Sequence, residues 1–185
     1  MKHPCGICKK TEKVVNYSHR GMGLEEEINL SNQFYRDTNK AIIYKKPTPI
    51  TITKVDYPSR LEAKITEAYF KVPSTTDYNG IYKGKYIDFE AKETRNTRFF
   101  PLRNIHTHQI EHLKKITEHG GIGFLIVRFS CLNQTYYLSY DALKHFLDSE
   151  NRKSIPVSYF QKEGFLLKDT VYPRVDYLKI VDQFL

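Results

Sequence analysis

The segment Lys85-Tyr86-Ile87-Asp88-Phe89-Glu90-Ala91-Lys92 follows a glycine and has the apolar and aromatic alternation of a strong β-strand. Because side chains alternate along a strand, Glu90 and Lys92 project from the same face, about 7 Å apart, and the residue between them packs on the opposite face. Asp77 lies thirteen residues before Glu90 and can join it from a preceding turn. The stretch therefore predicts a strand at whose edge two carboxylates and one ammonium group meet.

Two carboxylates and a lysine at this spacing suit the hydrolysis of a phosphodiester. Carboxylate oxygens are hard ligands for Mg²⁺, and the ion polarises a phosphate and lowers the pKa of bound water. The Lys92 ammonium can orient that water and offset the charge that develops on the phosphorane. The Glu90-Ala91-Lys92 triplet alone also fits a solvated strand face with an ion pair, and Asp77 fits an ordinary turn. Asp88 projects from the same face, and the residues alone leave its role open.

Composition limits the classes of protein to which the chain can belong. Its 185 residues include 29 basic and 21 acidic side chains, which gives a net charge of +8. This length predicts one domain, and the charge favours a nucleic-acid partner, on whose bases the 14 Tyr and 11 Phe side chains can stack. The longest apolar run, Ile122–Val127, is too short to cross a bilayer. Three cysteines cannot all pair, so we expect a cytoplasmic location and no membrane partner.

Hydrophobic periodicity predicts a mixed α/β domain. One amphipathic helix begins at Leu24 and ends near Asp37 to Asn39, and a second spans Ile105 to His119 before Gly120-Gly121. The other predicted elements are a short buried strand at Ala41–Tyr44, a turn at Tyr78-Asn79-Gly80, a central strand at Ile122–Phe129, its neighbour at Tyr136–Leu138, a helix capped by Asp141, and an apolar C-terminal set from Leu178 to Phe184.

Residues 50–72 have the pattern of a β-hairpin bounded by prolines. Its basic and aromatic residues lie close together, which predicts a projection that contacts DNA. The predicted contact residues are Lys54, Arg60, Lys64, Tyr69, Phe70 and Lys71. Residues 1–19 predict a flexible basic arm, which can touch a polyanion together with Arg20, and Arg95 lies in a basic segment after the Glu90 strand.

Motifs along most of the chain strengthen this interpretation. The chain resembles the RecU family of Holliday junction resolvases, within the PD-(D/E)xK nuclease superfamily, from about residue 19 to the C-terminus. The resembling motifs are Arg20-Gly21-Met22, Leu24-Glu25-Glu26, Lys45-Lys46-Pro47-Thr48-Pro49-Ile50, Val55-Asp56-Tyr57-Pro58-Ser59-Arg60, Thr75-Thr76-Asp77-Tyr78-Asn79-Gly80, Gly84 to Thr94, His108-Gln109-Ile110 and Arg174-Val175-Asp176-Tyr177.

The resemblance implies a concrete site and fold. The implied metal ligands are Thr75, Asp77, Glu90 and Gln109, and Lys92 matches the catalytic lysine. The implied cofactor is Mg²⁺, for which Mn²⁺ can substitute, and no nucleotide cofactor is expected. The implied fold is a restriction-endonuclease-like mixed β-sheet core flanked by helices, formed by a single nuclease domain at 20–185 with a protruding hairpin stalk at about 47–74. The implied partners are four-way DNA junctions, a second copy of the chain in a homodimer, and recombination proteins.

Some residues keep more than one interpretation. Gln109 shares a helix face with Leu113 and Ile116, so its amide either reaches the metal or bonds to backbone. Superfamily members often use a first-helix glutamate near the metal; we favour Glu26 among Glu25–Glu27, although the helix dipole alone explains acidic residues there.

The sequence also contains a weak candidate for a zinc site and is compatible with two alternative functions. Cys5 and Cys8 have zinc-knuckle spacing but lack a second pair of ligands. The alternative functions are a non-catalytic module that binds junctions and regulates recombination, and a restriction-type endonuclease that cuts linear duplexes.

Overall fold

A computed structural model describes residues 23–70 and 75–185. The helices are α1 (Leu24–Asp37), α2 (Thr107–Glu118), α3 (Tyr140–Ser149), α4 (Val157–Glu163) and α5 (Leu178–Val181). The strands are β1 (Ile42–Lys45), β2 (Ile50–Asp56), β3 (Lys64–Phe70), β4 (Tyr78–Tyr82), β5 (Lys85–Thr94), β6 (Phe99–Pro101), β7 (Ile122–Phe129), β8 (Gln134–Ser139), β9 (Ser154–Pro156) and β10 (Phe165–Leu167). The predicted basic arm at residues 1–19 lies outside the described residues.

A six-stranded mixed sheet in the order β1-β4-β5-β7-β8-β10 forms the centre of the fold. Only β5 and β7 run parallel, and the other neighbouring strands pair antiparallel. Every residue of β7 is buried, as expected for a strand covered on both faces. The predicted central strand at Ile122–Phe129 is therefore confirmed, and so is the mixed α/β class.

Helices cover both faces of this sheet, so the core has two layers. One layer joins α1 and α5 to the face that carries Phe89, whose ring stacks on Tyr78 at 4.8 Å and on Phe124 at 4.7 Å between ring centroids. The other layer joins α2, α3 and α4 to the face that carries Leu125 and Val127. Because side chains alternate along β5, Asp88, Glu90 and Lys92 face the α2 layer, whereas Glu93 faces α1 and accepts the Leu24 N–H.

Helix α1 has the bounds predicted for the first helix and is anchored by a buried ion pair. The Arg128 guanidinium on β7 donates to the Glu27 carboxylate at 2.5 Å, and both side chains are nearly fully buried. An ion pair of this kind fixes the helix against the sheet, because displacement of either partner would leave a charge without its counterion. The anchor fixes where the first turn of α1 lies relative to β5.

The predicted turn at Tyr78-Asn79-Gly80 is wrong, because these residues begin β4. The chain turns instead at Lys83 and Gly84, whose φ angles of 47° and 76° are left-handed. Gly80 allows β1 to pack closely against β4, because a Cβ at this position would lie 2.1 Å from the carbonyl oxygen of Ile42 on β1. The glycine thus marks close strand packing and not a change of direction.

Two further expectations need correction. Ser139 caps α3 by accepting the Ala142 N–H at 3.2 Å, whereas Asp141 lies inside the first turn. The buried strand predicted at Ala41–Tyr44 is the edge strand β1 (Ile42–Lys45), in which only Ile43 is buried. Residues 150–176, whose periodicity predicts no element, contain α4, β9 and β10.

The predicted hairpin stalk is present and stands apart from the core. Strands β2 and β3 pair antiparallel, with Ile50 opposite Phe70 and Val55 opposite Ile65. Every residue from 50 to 70 is exposed, so the two strands contact each other and leave both faces to solvent. Among the helices of the described residues, none combines the length and apolar character that crossing a bilayer requires.

Substitution of Gly80 tests the packing of β1 on β4. In Gly80→Ala the new methyl group meets backbone that cannot rotate away, so the free energy of unfolding is expected to fall by about 2 kcal/mol or more. Urea unfolding measures this loss. Gly23→Ser is the matched control, because a Cβ at Gly23 meets nothing within 4 Å and serine is a favoured helix N-cap. Equal stability of both variants would contradict the close approach.

Candidate active site

Glu90 lies in the middle of β5, and its carboxylate is fully buried and fully bonded. Oε2 accepts the backbone N–H of Asp77 at 2.9 Å, and Oε1 accepts the side-chain N–H of Gln109 at 2.7 Å. The Lys92 ammonium forms an ion pair with the same Oε1. The pairing of Glu90 and Lys92 on one face agrees with the alternation expected from the sequence.

Strand pairing brings Asp77 to Glu90. Tyr78 is opposite Phe89 in the β4–β5 ladder, so the residue before β4 comes next to Glu90. The Asp77 carboxylate also faces the Ala91 N–H, at 3.5 Å from Oδ2. The two carboxylates predicted to form a site therefore lie together, although they are thirteen residues apart in the chain.

The proximity of the two acids changes the electrostatics of the site. Burial raises the pKa of Glu90, and repulsion from the Asp77 carboxylate raises it further, to about 7. The Lys92 ammonium acts in the opposite direction and partly offsets this rise. A pair of carboxylates whose charge is only partly balanced is a favourable place for a cation.

Gln109 is buried on α2, and both ends of its amide are engaged. Its nitrogen donates to Glu90, and its oxygen accepts the backbone N–H of His106 at 3.0 Å. Of the two roles left open by the sequence, the bond to backbone is the one this structure contains. The same bond caps the start of α2, so Gln109 ties the helix to the carboxylate.

Thr75 lies two residues before Asp77 and is exposed. Its hydroxyl oxygen accepts a hydrogen bond from the Lys46 ammonium at 3.1 Å. Residues 75–77 therefore bring a hydroxyl and a carboxylate to the same end of the sheet. Together with Glu90 they form a set of hard oxygen donors, which suits a divalent metal ion such as Mg²⁺.

Asp88 is on the same face as Glu90, but its carboxylate has other partners. Oδ2 accepts from the Lys46 ammonium at 2.7 Å and from the Tyr86 hydroxyl at 3.1 Å, and Nε2 of His112 lies 3.2 Å away. The Thr76 hydroxyl bonds to Oδ1. With both oxygens engaged in this way, Asp88 supports the site from beside it. No local spacing in the sequence connects Lys46, Thr76 or His112 to Asp88, so only the folded structure reveals these contacts.

The glutamates of the first helix turn point in three directions. Glu25 and Lys92 both line a cavity of about 230 Å³. Glu26 lines a different cavity, together with Arg36 and Tyr44. Glu27 is buried against Arg128, as described above. The structure thus places Glu25, and not the favoured Glu26, on the Lys92 side of α1.

The predicted DNA-contacting residues are exposed and lie outside this cluster. Lys54, Arg60, Lys64, Tyr69 and Phe70 are on the stalk, and Arg95 follows β5. The Phe70 side chain is 83% exposed, which leaves its ring free to stack on a base. Arg20 and Lys71 lie outside the described residues, and so do Cys5 and Cys8.

The donor set is not a dense acidic cluster. No group of three or more His, Cys, Asp or Glu side chains suited to a metal ion occurs within residues 23–70 and 75–185. A metal at this site would instead use two carboxylates and neutral oxygen donors. Such a set fits an ion that keeps several of its own waters, as Mg²⁺ does.

The raised pKa of Glu90 predicts a pH-dependent stability. In chelator, the free energy of unfolding should fall as the pH rises from about 5 to 7, because native Glu90 keeps its proton to about pH 7 while the unfolded carboxyl loses it near 4.5. The native state then binds more protons than the unfolded state. Urea unfolding at several pH values measures the slope. Glu90→Gln should lose it and the exposed-residue control Glu118→Gln should keep it, so an unchanged slope in Glu90→Gln would contradict this interpretation.

Comparison with known proteins gives a consistent family assignment. The family model described as Recombination protein U (RecU) matches residues 19–183. A protein named Holliday junction resolvase RecU from Leuconostoc mesenteroides is 51% identical over 177 residues, which cover 95% of this chain and 87% of the relative. Proteins of the same name from Bacillus cereus (strain B4264) and Geobacillus kaustophilus are also 51% identical, covering 92% and 98% of this chain and 86% and 96% of the relatives.

Among solved structures, that of Hjc, a Holliday junction resolvase from Archaeoglobus fulgidus, is similar to 72% of this chain and 93% of its own, with 10% identity and a TM-score of 0.39. The sequence relationship is much closer, since half of the residues are identical over almost the whole chain in several relatives. The chain belongs to the RecU family.

Proposed function

We propose that this chain is a metal-dependent endonuclease that resolves four-way DNA junctions by paired symmetric nicks in recombination and repair. The observation that carries the proposal is the convergence of Asp77, Glu90 and Lys92 in a chain of the RecU family. Relatives about 50% identical are named Holliday junction resolvases. A module that only bound junctions would not need a carboxylate buried beside a second acid and a lysine.

The proposed metal ligands are Thr75, Asp77, Glu90 and Gln109, and the proposed ion is Mg²⁺, with Mn²⁺ as a substitute. When bound, the ion supplies Lewis acidity that polarises the scissile phosphate and makes water a better nucleophile. Asp77 and Glu90 supply the negative charge that holds it, and Thr75 adds a neutral oxygen. Gln109 is proposed as a ligand through its amide oxygen, which requires that the amide turn over when the ion binds and give up its bonds to His106 and Glu90. Without the ion, the amide holds the Glu90 carboxylate.

The residues around the metal position have separate tasks. The Lys92 ammonium is paired directly with Glu90, so it lies where it can orient the attacking water and offset charge on the phosphate oxygens. Gln109 and the Asp77 N–H hold the Glu90 carboxylate in one orientation. The proposed products carry 5′-phosphate and 3′-hydroxyl ends.

Junction resolution requires two matched nicks, which suits two copies of the site related by a two-fold axis. We therefore propose a homodimer in which residues 20–185 of each copy form one nuclease domain and the stalk at about 47–74 projects toward the junction. The exposed basic and aromatic residues of the stalk are proposed to contact phosphates and bases there, with recombination proteins as further partners. The proposed place of action is the cytoplasm.

Removal of either acid tests the chemistry. Asp77→Asn and Glu90→Gln should each slow cleavage of a labelled four-way junction in Mg²⁺ by about 10²-fold or more, because each removes part of the charge that holds the ion. Junction affinity in chelator should stay within about threefold of the parent protein. Glu118→Gln, on the exposed face of α2, is the matched control.

The same assay separates the rival functions. Paired symmetric nicks that appear on the junction, are absent from a linear duplex and are lost in chelator agree with resolution. Equal cutting of the duplex would indicate a restriction-type nuclease. Tight junction binding without cleavage in Mg²⁺ or Mn²⁺ would indicate a binding module.

The stalk gives a second prediction. The double variant Arg60→Ala/Lys64→Ala should bind junctions about tenfold more weakly at physiological salt, and its slope of log affinity against log salt should be smaller by about 2, because two phosphate contacts are lost. Fluorescence anisotropy at several salt concentrations measures both quantities. Lys144→Ala/Lys162→Ala carries the same charge change on α3 and α4 and serves as the control. An identical loss in both double variants would point to net charge alone and contradict a stalk contact.

A further inference from the structure

Lys46, the residue after β1, contacts three consecutive residues of the candidate site. Its ammonium donates to the hydroxyl of Thr75 at 3.1 Å and to the hydroxyl of Thr76 at 2.6 Å. Its backbone N–H donates to the carbonyl of Asp77 at 2.8 Å. Main chain and side chain of one residue thus hold the whole segment that carries two of the proposed ligands.

The third contact of the ammonium is an ion pair with Asp88 at 2.7 Å. An ammonium group has three N–H donors, and here the three have protein acceptors. The Lys46 side chain is only 15% exposed and that of Asp88 is fully buried, so this pair is shielded from solvent. A shielded ion pair with this many hydrogen bonds has little freedom to swing toward a ligand.

The position of residues 75–77 explains why they need contacts that hold them in place. The regular ladder between β1 and β4 ends with Lys45 opposite Tyr78. Residues 75–77 therefore lie beyond the sheet, on the side from which the chain comes from the exposed stalk. The backbone bond from Lys46 to Asp77 extends the ladder by one step, and the ammonium fixes the two residues before it.

We infer that Lys46 is a positioning residue: neutralised by Asp88, it holds Thr75–Asp77 against Glu90 and thereby sets the affinity of this site for a divalent metal. The inference deepens the proposed function, since it rests on a metal bound by that segment and Glu90. It also gives Asp88 a role distinct from that of Glu90. One acid neutralises the lysine that supports the site, and the other is a proposed ligand of the metal.

Mn²⁺ binding in the absence of DNA tests the inference directly. In Lys46→Met, which keeps the length of the side chain but has no donors, the dissociation constant for Mn²⁺ measured by electron paramagnetic resonance should rise about tenfold. Lys46→Arg keeps the charge and should recover part of that loss. Lys179→Met is the matched control, because the exposed Lys179 side chain on α5 also forms an ion pair with an acid, Asp176.

Measurements of cleavage and DNA binding distinguish a positioning role of Lys46 from a general structural one. The Mn²⁺ concentration for half-maximal junction cleavage should rise about tenfold in Lys46→Met, and the rate at saturating Mn²⁺ should return to within about threefold of the parent protein. Junction affinity in chelator should stay unchanged. If Lys46→Met does not fold, Thr76→Val removes one acceptor of the ammonium at nearly constant shape and should weaken Mn²⁺ binding by a few-fold.

Three outcomes would overturn the inference. Mn²⁺ affinity equal to that of the parent protein, in whichever variant folds, would remove the positioning role. A cleavage rate that stays low at saturating Mn²⁺ would make Lys46 a participant in the reaction. Weaker junction binding with unchanged Mn²⁺ affinity would make it a phosphate contact. If the parent protein binds Mn²⁺ but cuts no junction, the proposed function fails while Mn²⁺ binding still decides the role of Lys46.

Discussion

A carboxylate buried in the middle of a sheet imposes strict demands on its surroundings. Removal of the Glu90 carboxylate from water costs several kcal/mol unless it is paired and hydrogen-bonded. Three elements meet that demand: Lys92 from the same strand, the Asp77 N–H from the neighbouring chain segment, and the Gln109 amide from α2. The position of each of these elements is therefore tied to one side chain, and the candidate site is the place where they converge.

Two acids on one face of β5 have opposite environments, and this division organises the site. Asp88 is neutralised by Lys46 and surrounded by donors from Thr76 and Tyr86. Glu90 instead lies beside a second carboxylate, so its pKa is raised by burial and repulsion. The first arrangement stabilises structure, because its charge is balanced within the protein. The second leaves negative charge to be balanced by a ligand, which is what a cation site requires.

The stalk and the core differ in how much apolar surface they bury. The core buries two layers of apolar side chains against a six-stranded sheet. The stalk is a two-stranded hairpin whose residues 50–70 are all exposed, which is marginal by itself and leaves isoleucines and aromatic rings in water. Exposed apolar residues among basic ones suit a surface that is covered by a partner. Thr75–Asp77 follow this hairpin within a few residues of the chain, so stalk and site are neighbours in sequence.

The sequence alone determined the features that depend on local periodicity. Alternation along 85–92 predicted which residues share a face with Glu90, and helical spacing predicted α1 and the inward position of Gln109. Only the tertiary structure decided the rest, because the deciding contacts join distant residues. The sequence around Gly80 predicts a turn, since nothing nearby reveals that β1 packs against it. The sequence allows the Gln109 amide to reach either a metal or the backbone, and its orientation follows from where Glu90 and His106 lie. Lys46 and Asp88 are 42 residues apart, and no spacing rule connects them. Local pattern fixes the face on which a side chain lies, whereas its partner is set by how the strands and helices pack.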